Sequence, residues 1–242
     1  CIAPVLWAAP QTSRELDLDR PIRDYFDLST MITSEEQLRS LYAMPAERAL
    51  LKQQVDLDRH CLRFIALSPL CIVATGGAAG SLMDASPRGG PPGFVQVLDE
   101  RTVAFADWPG NNRIASLRNL QADDRLAMLF LFPGLDIFLR INGRGRISTD
   151  PHLLQELSEG RGTPKTATVV LVDEVLLHCG KAIHRSGLWN PSSQLDRTAL
   201  PSVGQMMAAL TQLADATAPA MDTAQQEQAN AHYAHAVRND LY

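Results

Sequence analysis

The chain has 242 residues, enough to bury a full hydrophobic core in one large domain or in one domain with helical additions. Hydrophobic residues make up 45% and charged residues 20%, and no apolar run approaches the roughly 18–20 residues of a membrane span. A net charge of −5 argues against a general nucleic-acid binder, although Arg140, Arg144 and Arg146 form a local basic group.

In chain order, Cys1 is followed by Ile2-Ala3-Pro4-Val5-Leu6-Trp7 rather than the polar tether of a lipid-anchored protein, so no anchor is expected. Residues 1–32 read as an N-terminal extension. Thr33 and Glu36 form a capping box ahead of an apolar face at Leu38, Leu41 and Tyr42. A second helix is predicted from Ala46 to about Ala66, with Leu50, Leu51, Val55, Leu57, Cys61, Phe64 and Ile65 at three- and four-residue spacing. His60 and Cys61 lie side by side with no partner pair, and a structural role is expected for them. From Pro69 the period changes to that of short strands: 70–75, 82–86, 94–98 and 102–106, the last two joined by the turn Asp99-Glu100-Arg101. A helix from about Asn112 to Leu120 interrupts them, and strands over 126–132 and 137–148 follow. Gly143 and Gly145 predict a bulge or bend in the second of these. Asp150-Pro151 starts a helix through Leu157, and Ala167–Leu177 is a further strand. Asn190-Pro191-Ser192-Ser193 is a linker-like turn, followed by helices over 203–213, with Met206, Met207, Leu210 and Leu213 on one stripe, and over 223–237.

The connections are too short for parallel crossovers, and no G-x-G-x-x-G follows a strand. The expectation is therefore a mainly β, α+β fold: a six- to seven-stranded antiparallel barrel over residues 33–191, with N-terminal helices and a C-terminal helical extension over 192–242. The four cysteines show no C-x-x-C spacing, so reduced thiols and a cytoplasmic location are expected.

Two glycine-rich segments carry the chemistry. Ser86-Pro87-Arg88-Gly89-Gly90 and Pro109-Gly110-Asn111-Asn112-Arg113 each set an arginine beside glycines at the end of a strand-like run. Glycine permits close backbone approach, and arginine offers a donor fork matched to phosphate. Asn111, Asn112 and Arg113 are expected to open a helix, whose free N–H groups and positive dipole end suit an anion. Two readings stand at this point: a phosphate-bearing cofactor held on a β scaffold, or ordinary turns with solvated arginines. No serine–histidine–acid arrangement is legible. His178-Cys179 reads as half a metal site, needing His152, His184 or His232, or as a strand end with a buried thiol and a partly exposed histidine.

The order of Cys71-Ile72-Val73-Ala74-Thr75, Ser86-Pro87-Arg88-Gly89, Phe94-Val95-Gln96-Val97, Pro109-Gly110-Asn111-Asn112-Arg113, Ser116-Leu117-Arg118-Asn119-Leu120, Arg140-Ile141-Asn142-Gly143-Arg144-Gly145 and His178-Cys179-Gly180-Lys181-Ala182 resembles the pyridoxamine 5′-phosphate oxidase-like flavoproteins. The resemblance covers roughly Thr33–Pro191 and extends weakly to Asn239-Asp240-Leu241-Tyr242. It implies a split β-barrel that binds FMN at a homodimer interface and works on a small-molecule substrate or electron donor, with neither nucleic acid nor membrane as partner. It also implies site residues. Arg88 matches the strand arginine that reaches the flavin phosphate, with Ser86, Pro87 and Gly89 alongside the ring. Asn112 and Arg113 match the basic pair under the phosphate, Asn111 adjacent, with Asn112 where the family often has lysine. Lys181, Arg185 and Trp189 fall where the family approaches the flavin from the other subunit.

One departure stands out: Arg185-Ser186-Gly187-Leu188-Trp189 replaces the arginine-and-histidine signature that grips the substrate in true oxidases, and Phe138 falls on the family's ring-side glutamine. The resemblance therefore implies a retained flavin site without the vitamin B6 site. Two function classes stay open: an FMN-dependent oxidoreductase, or a flavin- or haem-binding protein without turnover. A deazaflavin-dependent reductase on the same barrel is a third.

Overall fold

The computed structural model describes residues 27–78, 81–159 and 162–239. Most of the expected N-terminal extension and the last three residues lie outside the described residues. The chain divides into two units, Cys1–Ala46 and Glu47–Tyr242.

In the first unit, α1 (Glu35–Leu41) is capped by Ser34, whose side chain accepts from the Gln37 N–H. The cap therefore lies one residue beyond the Thr33 expected, and the amide of Gln37 reaches back to the Thr33 N–H at 2.7 Å. Leu38, Leu41 and Tyr42 are exposed within this unit.

The second unit is built on an antiparallel sheet with eight strands among the described residues. The helix predicted over 46–66 is in fact three elements: α2 (Glu47–Leu50), β1 (Gln53–Gln54) and α3 (Arg59–Leu67). Asp58 caps α3 by accepting from the His60 and Cys61 N–H groups. Upstream, the Leu57 N–H donates to the Glu100 carbonyl at 2.7 Å, and Gln53 and Gln54 pair with a distant strand. These tertiary hydrogen bonds override the helical spacing. Leu57, Cys61 and Ile65 reach the core, whereas Leu50, Leu51 and Val55 do not.

Strands β2 (Leu70–Thr75), β3 (Asp84–Gly89), β4 (Val95–Asp99), β5 (Thr102–Asp107), β6 (Arg125–Leu131), β7 (Ile137–Ser148) and β8 (Thr166–Cys179) form the sheet in the order β3-β2-β6-β7-β8-β5-β4, with β1 added to β8. The mainly β, α+β architecture expected is the one observed. β3 starts and ends later than the predicted strand and takes Pro87 without loss, because an edge strand has no partner on its outer side. The register of β7 on β8 shifts between Asn142 and Gly143, the predicted bulge. A Cβ at Gly143 would meet the Leu171 carbonyl oxygen at 2.3 Å, so only glycine lets the strands approach there.

The pleat sorts the sheet into two faces. Cys71, Val73, Met128, Phe130, Leu139 and Ile141 point into the core, closed on one side by α3. The opposite face carries half-buried apolar rows, Leu70–Leu131–Phe138 and Ile72–Leu129, in direct register. Burial holds the Cys61 thiol up at about 11 and the Cys71 thiol at about 12, so neither ionises at neutral pH. Cys179, expected to be buried, is exposed at the end of β8. Helices α4 (Ala115–Ala122) and α5 (Pro151–Glu156) interrupt the strands, the latter where Asp150-Pro151 was expected to start one, and after β8 come α6 (Lys181–Ser186), α7 (Val203–Ala214) and α8 (Thr223–Asn239). The last two pack on each other, leaving Met206, Met207, Leu210 and Leu213 of α7 exposed. Among the described residues no helix is long and apolar enough to cross a membrane.

Candidate functional site

Strand β3 alternates Asp84, Ser86 and Arg88 on one side with Ala85, Pro87 and Gly89 on the other; the first set is half-buried and the second exposed. Across a cleft of about 850 Å³ stand the end of β5, the 108–114 loop and the start of β8, and the cleft is lined by all four of Ser86, Pro87, Arg88 and Gly89 and by Asn111, Asn112 and Arg113. The two glycine-rich segments therefore do converge on one cavity.

The helix behind this loop, α4 (Ala115–Ala122), starts later than the sequence suggested. Asn112 and Ile114 both take positive φ, 57° and 46°, and the chain turns through them before the helix begins. A β-branched residue in that region is strained, and such strain persists only where the surroundings over-determine it. Asn111 contributes by accepting the Arg113 N–H at 3.0 Å. Asn111, Asn112 and Arg113 thus form the turn before the helix instead of its first residues. The N-cap Ile114 offers no side-chain acceptor, so the first-turn donors of α4 lack a side-chain cap where Ala115, Ser116 and Leu117 line the cleft.

The electrostatics centre on Arg88. Its guanidinium donates to the Pro87 carbonyl at 2.9 Å and to Ser116 Oγ at 3.2 Å. Ser116 donates to Asp84, which also accepts from Ser86 Oγ at 2.9 Å. The hydrogen bond from Ser116 holds the Asp84 carboxyl below its ordinary value, helped by Ser86, Arg88 and Arg113. Asp107 behaves oppositely: burial raises its pKa, and Arg88 and Lys165 only partly offset this. Two buried polar atoms on the cleft, Arg88 Nε and Thr166 Oγ1, find no hydrogen-bond partner among the described residues. Buried donors left unmatched are costly, and a ligand acceptor satisfies them. Phe94, Trp108 and Leu117 add apolar wall.

Lys181, Arg185 and Trp189 are not gathered into this cleft. Lys181 and Arg185 border a separate hollow of about 350 Å³ with Asp136, Cys179 and His184. Trp189 is held at the turn before β7 by its Nε1–H, which donates to the Leu135 carbonyl at 3.0 Å. Asp84, Asp107, Ser116, Lys165 and Thr166 escaped the sequence reading. The alternation Asp84-x-Ser86-x-Arg88 was a usable signal for the first, since period two puts all three on one face. Lys165 and Thr166 reach the cleft only through the pairing of Thr166 with Asp107, which no local pattern announces.

Among solved structures, HupZ from Group A Streptococcus is similar at 20% identity, over 49% of this chain and 90% of that one, with a TM-score of 0.40. An FMN-binding protein from Syntrophomonas wolfei aligns at 13% identity over 59% of this chain and 92% of that one, TM-score 0.37. A Clostridium acetobutylicum protein related to general stress protein 26 aligns at 12% over 50% and 92%, TM-score 0.36. No curated protein matches the chain. Residues 57–179, just over half of the chain and spanning the sheet from the approach to α3 to the end of β8, match the family described as pyridoxamine 5′-phosphate oxidase, and the chain belongs to that family.

Proposed function

We propose that this protein is an FMN-binding flavoprotein and an FMN-dependent oxidoreductase acting on a small organic molecule. The observation that carries the reading is the convergence of Arg88, Arg113 and Lys165 on the uncapped start of α4, with Arg88 Nε and Thr166 Oγ1 buried and unmatched. A phosphomonoester supplies the acceptors those groups lack. Arg88 and Arg113 hold its charge, Asn111 and Asn112 shape the turn that approaches it, and Ser86, Pro87 and Gly89 line the way from the phosphate to the ring. Phe94, Trp108 and Leu117 cover apolar surface. Bound FMN supplies the hydride or electron transfer, so the protein needs no nucleophile of its own.

The half-buried apolar rows Leu70–Leu131–Phe138 and Ile72–Leu129 support a homodimer, because a monomer leaves them facing water. Lys181, Arg185 and Trp189 then serve the flavin of the other subunit. Leu129→Arg should convert a dimer into a monomer in sedimentation, and a wild-type monomer at micromolar concentration that still holds FMN would contradict the arrangement.

Absorption spectra of the purified protein test the cofactor. A band at about 450 nm, restored by FMN after stripping, is expected of oxidised flavin. A Soret band, or reconstitution only by a deazaflavin, would replace this reading.

A further inference from the structure

Arg88 is pinned by a relay. Its guanidinium donates to the Pro87 carbonyl at 2.9 Å and to Ser116 Oγ at 3.2 Å, which leaves Nε buried and unmatched. Ser116 is only 5% exposed, and its hydroxyl hydrogen goes to Asp84. A hydroxyl has one hydrogen, so Ser116 meets Arg88 through a lone pair and the direction of the relay is forced. Ser86 donates to the same Asp84 oxygen at 2.9 Å, holding the carboxylate from a second side.

We propose that Asp84 and Ser116 are positioning residues for phosphate recognition: together they lock the Arg88 guanidinium in the wall of the cleft. The inference rests on the cleft being a phosphate seat. The opposing view of the same contacts is that Asp84 is an anion beside an anion site and weakens binding by repulsion. The two views differ in sign.

FMN and riboflavin differ by one phosphate, so the ratio of their affinities reads the phosphate alone. Ser116→Ala and Asp84→Ala should each lower that ratio by about tenfold, the size of one charge-assisted hydrogen bond, while riboflavin affinity holds. Asp84→Asn, which keeps an acceptor oxygen for Ser116, should retain most of the ratio. In an Arg88→Ala background, Ser116→Ala should change nothing further, since the residue it positions is gone. Near-UV circular dichroism checks that each variant folds. A ratio that is unchanged or raised in Ser116→Ala and Asp84→Ala overturns the relay, as does an undiminished Ser116→Ala effect without Arg88. A wild-type protein that binds FMN and riboflavin equally overturns the phosphate seat itself, and the relay's purpose with it.

Discussion

Two groups of cations in the second unit differ in what faces them. Arg140 pairs with Glu174 at 2.8 Å, Arg144 with Asp124 at 2.9 Å and Asp173 at 3.6 Å, and Arg146 lies 3.9 Å from Asp124. Arg88, Arg113 and Lys165 at the cleft have no ion pair of this kind among the described residues. In the sequence the first group looks the more basic, yet folding neutralises it. At the proposed site the cations lack such close carboxylate pairs, and that is a property of the fold, not of the count.

The largest expected effect concerns turnover. Oxidation of pyridoxamine 5′-phosphate needs a second set of phosphate donors above the flavin, distinct from Arg88 and Arg113, and the segment Gly187-Leu188-Trp189 offers none. Without those anchors the substrate is not held in near-attack geometry, and kcat/KM should fall by orders of magnitude relative to true oxidases. Turnover within about tenfold of the typical enzyme median of roughly 10 s⁻¹, assayed with the FMN-loaded protein under oxygen, would show that Lys181 or Arg185 can be recruited.

Next comes cofactor affinity. Replacing Arg88 or Arg113 with alanine should cost about 1.5–3 kcal/mol, roughly tenfold to hundredfold in FMN affinity by fluorescence titration. Arg144→Ala and Arg146→Ala should leave FMN affinity unchanged, since they sit in exposed pairs outside the cleft. Equal losses from both groups would erase the distinction.

The smallest effect separates the two carboxylates beside Arg88. Asp84 has a folded pKa below the ordinary carboxylate value of 3.8, so its ionised form stabilises the fold above that value and the contribution is lost as pH falls through the folded pKa. Asp107 has a folded pKa above 3.8, so its ionised form costs stability at neutral pH and the cost disappears as pH falls. Asp84→Asn should therefore melt lower than wild type at neutral pH and Asp107→Asn higher. Both differences should vanish in acid, and thermal melts across pH provide the measurement.

The sheet was legible because its strands announce themselves through β-branched alternation and turns; the boundaries of β7 fell where the pattern put them, bulge included. The helix over 46–66 was not, because its break depends on Gln53 and Gln54 finding β8 and on Leu57 finding the Glu100 carbonyl. The site was half legible. Arg88 and Arg113 stood out beside their glycines, but the turn at Ile114 is set by a φ that its side chain disfavours, so propensity pointed to an earlier helix start. Asp107 and Thr166 meet only through the β5–β8 register, across more than fifty residues of chain.

Strand β8 also acts as a ruler. It runs from Thr166, on the wall of the cleft, to Cys179, two residues before Lys181. Fourteen residues at a rise of about 3.3 Å each give a path of roughly 40 Å, several times the reach of any side chain. The strand thus sets the cleft at its Thr166 end apart from the same chain's Lys181 and Arg185, which border a separate hollow. On the proposed arrangement, in which Lys181 serves the flavin of the other subunit, mixing Arg88→Ala subunits with Lys181→Ala subunits should rebuild one complete site in each hybrid dimer.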